Sequence, residues 1–198
     1  MIIALSCLRH LREVKLDHNR ITDLGDLLHT DSLVKISCSN NRIAELDLRQ
    51  AKWPRLEMLD LSNNRLTDVL SLESLVNLVS LNLGKSDWIA PLPAVMTDRS
   101  IVSLDGNELA SLEAAASMPN LRVLRLSNNR LLDFDLSSFT RLRTLYADNN
   151  RLHQLSRNNP RSVSRLENLS LRNQRGLSLK LSYADLRDVK RLYISGEL

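Results

Sequence analysis

Three arginines and two tyrosines in the last third of the chain have the side chains best suited to recognition: Arg125, Tyr146, Arg172, Arg191 and Tyr193. A guanidinium is a planar fork that captures carboxylate or phosphate bidentately. Arginine and large aromatics are also the residue types that anchor protein interfaces. Residues suited to catalysis are missing as a group. His10, His18, His29 and His153 are scattered, none beside a cysteine or serine in a nucleophile setting. No metal-ligand cluster is spelled out, and five glycines form no phosphate-cradling loop. The sequence therefore supports no catalytic, cofactor or metal site and no small-molecule substrate.

What positions those five residues is a repeat. The phrase L-x-x-L-x-L-x-x-N-x-L begins at Leu11, Leu33, Leu56, Leu78, Arg99, Leu121, Leu142, Leu166 and Val189, with steps of 21 to 24 residues. Ser86 and Gln174 stand where Asn is expected, and Cys38 and Ala147 fill leucine places. Nine near-copies at this period are the pattern of the leucine-rich repeat. The fold class expected is α/β: one solenoid over 1–198, with a curved parallel β-sheet on the concave face and short helical or irregular convex returns. Strands spaced about 4.8 Å apart make a nine-strand sheet on the order of 40 Å long. The Asn after each strand is expected to satisfy backbone groups that the turn would bury unpaired.

On each strand the third, fifth and seventh places of the repeat face the concave side. Read this way, the N-terminal end presents mixed charge (Glu13, Lys15, Asp17, Lys35) and the middle is small and weakly apolar (Met58, Ser80, Ile101). The C-terminal end gathers the three arginines and two tyrosines named above. Net charge is +4, but it is divided unevenly. Residues 1–98 hold 11 basic and 13 acidic side chains, and residues 99–198 hold 16 and 10. A partner with an acidic, coiled-coil or phosphorylated segment suits that end.

Other features have plainer readings. Arg20, Arg42, Arg65, Arg130, Arg151 and Arg175 follow the Asn place and suggest a basic row. An acid lies three residues on in four cases (Asp23, Glu45, Asp68, Asp133), so local salt bridges are expected. Basic RNA interfaces interleave stacking aromatics and this row has none, which disfavours nucleic acid. Two segments break the rhythm. In 84–100 the proline-bearing return is expected to be irregular, with Trp88 filling the core. The basic stretch 157–164 reads as a longer convex loop, open to phosphorylation or docking. The absence of paired-cysteine caps favours an intracellular setting, Cys38 reads as a buried apolar residue, and no run reaches the roughly 18 apolar residues of a membrane span. The final "ISGEL" stops within a repeat, so a fragment of a longer protein is expected.

The stretches "LREVKLDHNRITDL", "LVKISCSNNRIAELDL" and "WPRLEMLDLSNNRLTDV" resemble the repeat domain of the fungal spindle-pole-body scaffold of the mitotic exit and septation initiation network, to which animal centriolin is distantly related. The period also resembles intracellular phosphatase-regulator repeats. The first resemblance implies a non-enzymatic scaffold of cell division, in the cytoplasm and cytoskeleton at the spindle pole body. An RNA-protein assembly module and a phosphatase regulatory subunit are the alternatives.

Overall fold

The computed structural model describes residues 8–70, 74–86, 100–107, 109, 120–137, 139–156, 165–175 and 186–195. Trp88, the proline-bearing return and the 157–164 stretch lie outside them. In chain order the strands are β1 (Glu13–Lys15), β2 (Lys35–Ser37), β3 (Glu45–Asp47), β4 (Met58–Asp60), β5 (Asp68–Leu70), β6 (Ser80–Asn82) and β7 (Ile101–Ser103). They continue as β8 (Val123–Arg125), β9 (Asp133–Asp135), β10 (Thr144–Tyr146), β11 (Gln154–Ser156), β12 (Asn168–Arg172) and β13 (Arg191–Ser195).

Nine of these strands form one sheet in the order β1-β2-β4-β6-β7-β8-β10-β12-β13, and the strand pairs in it are parallel and in register. The register is fixed by the repeat: Val14, Ile36, Leu59, Leu81, Val102, Leu124, Leu145, Leu169 and Leu192 succeed one another along it. From Val14 to Leu169 these side chains are buried, and they merge with the other leucine places into one continuous core. No single repeat could bury them alone, so stability comes from stacking neighbours. Cys38 is fully buried in its leucine place, and that burial pushes its thiol up to about 12.

The returning limbs are short and hold little helix, as expected: the 3-10 turn Gly25–His29, with Ser74 and Leu186 also in helical conformation. What the sequence did not announce is that β3 pairs with β5 and β9 with β11 as separate two-stranded ladders. A repeat of 21 to 24 residues leaves little chain between strands. Extended chain covers more than twice the distance per residue that an α-helix does. Trp53 and Phe139 plug the core from this side; Trp53 donates its indole N–H to Leu27 O at 2.8 Å, and Phe139 stacks on Phe134 at 5.4 Å between centroids.

Candidate functional site

Two polar ladders hold the concave surface in shape. The first is made by the asparagines behind the strands. Asn150 Nδ2 donates to Leu126 O at 2.9 Å in the preceding repeat and to Ala147 O at 3.0 Å in its own. Its Oδ1 accepts the Leu131 N–H at 3.1 Å. Asn41, Asn64, Asn107 and Asn129 make the same reciprocal pattern. Gln174 reproduces it with a longer arm, donating to Ala147 O and accepting Leu152 N–H. Ser86 cannot: its hydroxyl is buried without a partner. The residue before each of these places adopts the left-handed region, with φ of 52° to 60° at His18, Asn40, Asn63, Lys85, Asn128, Asn149 and Asn173 and 73° at Gly106.

The second ladder was not read from the sequence. Aspartates at the seventh place clamp the next strand. Asp17 accepts from Ser39 N–H and Ser37 hydroxyl, both at 2.7 Å. Asp105 accepts Ser127 N–H, and Asp148 accepts Arg172 N–H and the Ser170 hydroxyl. Burial pushes the Asp17 carboxyl up, but Ser37 and Ser39 outweigh it and hold the group below its ordinary value. At Asp105 burial wins over the Ser127 N–H and Arg125, and the carboxyl sits above its ordinary value.

Onto this frame the register sets the candidate residues. Arg125, Tyr146, Ser170 and Tyr193 form one row across β8, β10, β12 and β13. Arg191 stands in the row that contains Val123, Thr144 and Asn168, and Arg172 in the row beside Ser195. The Arg125 guanidinium lies 4.8 Å from the centroid of the Tyr146 ring, and Arg172 lies 4.8 Å from that of Tyr193. Four of the five thus form two stacked pairs, while the Arg191 side chain has no partner among the described residues. Tyr193 is 41% exposed. Asp105 and Asp148 share this face, so it is basic but mixed.

A hollow of about 590 Å³ lies further toward the N-terminal end of the concave side, over β1, β2, β4, β6, β7 and β8, and is lined by exposed Met58 and Ile101 with Lys15, Lys35, Asp60 and Arg125. Only Arg125 of the five candidate residues reaches it. The arginine row is also rearranged. Arg20 with Asp23, and Arg42 with Glu45, make no ion pair among the described residues. Side chains three apart meet on a helix, but here the chain between them is extended and carries them apart. Arg130, Arg151 and Arg175 instead line a shallow recess of about 410 Å³ beside Asn128 and Asn149.

The family model described as "Leucine Rich repeats (2 copies)" matches residues 54–94 and 119–160. The chain is 29% identical over 156 residues to osteomodulin of Bos taurus, an alignment covering 74% of this chain and 37% of that protein. It thus spans little more than a third of that relative's length. Internalin C2 of Listeria monocytogenes superposes with a TM-score of 0.75 at 22% identity, over 92% of this chain and 80% of its own. YopM, a leucine-rich effector protein of Yersinia pestis, gives 0.64 at 24% identity, over 93% and 56%. At such identities the likeness is one of fold. Register and structural neighbours show the leucine-rich repeat solenoid fold, and the family model finds the repeat in those two stretches of the chain.

Proposed function

We propose that the domain binds a partner protein through the C-terminal end of its concave face, with Arg125, Tyr146, Arg172, Arg191 and Tyr193 as the contact residues. The observation that carries this reading is the pair of arginine–tyrosine stacks on adjacent strands. Aromatic rings and guanidinium groups supply most of the binding energy at protein interfaces. Here they are held by each other and by a backbone that Asp148 clamps, so little ordering entropy is lost on binding. The mixture of exposed arginines with Asp105 and Asp148 fits a partner surface that is acidic in parts, such as a charged coiled coil.

The partner belongs to a cell-division scaffold assembly of the septation and mitotic-exit type, at the spindle pole body. This finer assignment rests on the resemblance of residues 11–69 to that scaffold's repeats. The test is capture of spindle-pole and network proteins from mitotic fungal extract by the wild-type domain and by an Arg125→Glu, Arg172→Glu, Arg191→Glu variant. Capture by the wild type alone is expected. Equal capture by both would remove the site from this face, and capture of RNA-binding proteins or of a phosphatase catalytic subunit instead would replace the scaffold reading.

A further inference from the structure

We propose that a recess on the strand edge, walled by Arg122, Arg141, Arg143 and Arg165, binds a phosphorylated serine or threonine side chain of a partner protein. This rests on the protein-binding reading above but uses a different surface.

The recess has a volume of about 310 Å³ and is lined by those four arginines and Thr140. The repeat builds it. Arg122 and Arg143 hold the same place, immediately before β8 and β10, and Arg143 N–H donates to Arg122 O at 2.9 Å. Arg141 and Arg165 each stand immediately before a buried leucine, Leu142 and Leu166, in consecutive repeats. Neighbouring strands are about 4.8 Å apart, so the four guanidinium groups are crowded by the fold itself.

Their charge is left largely uncompensated. Among the described residues no carboxylate lines the recess. Glu167 is divided between Arg143 at 3.3 Å and Lys190 at 2.9 Å. Arg141 donates to the neutral Asn120 Oδ1 at 2.8 Å. Among the described residues the side chains of Arg122 and Arg165 have no partner, and all four arginines are exposed. The concave face differs, because Asp105 and Asp148 temper it. Four arginines of the basic C-terminal half are thus gathered on this edge.

The shape of that excess selects the ligand. A carboxylate offers one charge and two oxygens, enough for one guanidinium fork. A phosphoryl group offers nearly two charges and three acceptor oxygens, which suits several forks converging on one recess. Nucleic acid would need a continuing track and stacking surfaces. Among the described residues no aromatic lines the recess, and the basic run is bounded by Ser100 and Glu167: the place held by Arg122 and Arg143 is Arg12, Val34, Glu57, Val79 and Ser100 in earlier repeats and Glu167 then Lys190 in later ones.

The test is fluorescence anisotropy with a labelled glycine–alanine peptide carrying one phosphoserine. Its serine and aspartate counterparts and a labelled oligouridylate serve as comparisons. The variants are Arg122→Gln with Arg165→Gln, and Arg42→Gln with Arg65→Gln as a charge-matched control, each checked for fold by circular dichroism. The phosphopeptide should bind at least ten-fold more tightly than the serine and aspartate peptides. The Arg122/Arg165 variant should lose at least ten-fold, and the control should not. Binding should weaken as pH falls through about 6, where the phosphate takes up a proton. Equal binding of the three peptides, no loss in the Arg122/Arg165 variant, or tighter oligouridylate binding through the same arginines would overturn the proposal. The concave reading is tested by other residues, so either can fail alone.

Discussion

The guanidinium of Arg172 lies 4.8 Å above the ring of Tyr193, one strand further along the sheet. Arg125 stands over Tyr146 at the same distance. In both pairs the arginine is on the earlier strand and the tyrosine on the later one, so one geometry recurs across the C-terminal concave face. An exposed stack of this kind contributes about 0.5–1 kcal/mol. Its larger consequence is that both side chains are oriented before a partner arrives.

Tyr193→Ala and Arg172→Gln should therefore separate stability from binding. Each should change the urea unfolding free energy by less than about 1 kcal/mol. Each should weaken partner binding by about ten-fold or more, as truncation of an interface anchor does. A double-mutant cycle on stability should return a coupling of about 0.5–1 kcal/mol.

The asparagine ladder predicts a much larger effect on the fold. Asn150→Ala strands the Leu131 N–H and removes the donor to Leu126 O and Ala147 O. Each buried group left unpaired costs about 1–3 kcal/mol, so a loss of about 3 kcal/mol is expected by urea unfolding. Ser86→Asn should act in the opposite sense. It replaces a buried hydroxyl that has no partner with the amide used by the neighbouring repeats, and a gain of about 1 kcal/mol is expected.

Asp17 and Asp105 occupy equivalent places yet should respond oppositely to pH. The folded-state pKa of Asp17 is lowered, so its contribution is present above the ordinary carboxylate pKa and is lost as pH falls through the lowered value. The folded-state pKa of Asp105 is raised, so the protein is stabilised by its protonated form and loses that stability as pH rises from the ordinary value through the raised one. At pH 7, Asp105→Asn should keep the acceptor for Ser127 N–H while removing a buried charge, and should raise the melting temperature. Asp17→Asn should lower it. Melting curves of both variants from pH 3 to 7 check the two signs.

A side chain at Gly106 should be costly. Its φ is 73°, and an added Cβ would lie 2.8 Å from Lys85 Cγ. Gly106→Ala should cost about 1–2 kcal/mol from the left-handed backbone. Lys85→Gly in the same chain should recover part of it, since it removes the clash and relieves a second left-handed residue.

Much of this architecture was legible because the repeat encodes it directly. The place of Val14, Ile36, Leu59 and Leu81 in the pattern is also their place in the sheet, and the buried role of Cys38 followed from its leucine position. The Asn role was legible for the same reason. The two-stranded ladders on the return limbs were not, because the sequence after each Asn carries apolar alternation that suits a helical turn or a short strand equally well. The aspartate clamp was missed because an exposed carboxylate in a variable place reads as surface charge until the next strand's N–H is seen to face it. Arg122, Arg141, Arg143 and Arg165 were overlooked because they fall outside the concave places. Their signal was "TRLRTL" with arginines at Arg122 and Arg165 in the neighbouring repeats.

The central claim is that partners are held on the arginine–tyrosine face. The most direct measurement places a photo-crosslinking benzoylphenylalanine at Tyr193, and separately at exposed Leu132 on a returning limb, and identifies the adducts formed in dividing cells. The account predicts a discrete adduct with a cell-division partner from position 193, lost when Arg125 and Arg172 are changed to Glu, and none from position 132. An adduct from position 132 alone would contradict it and move the interface to the other side of the solenoid.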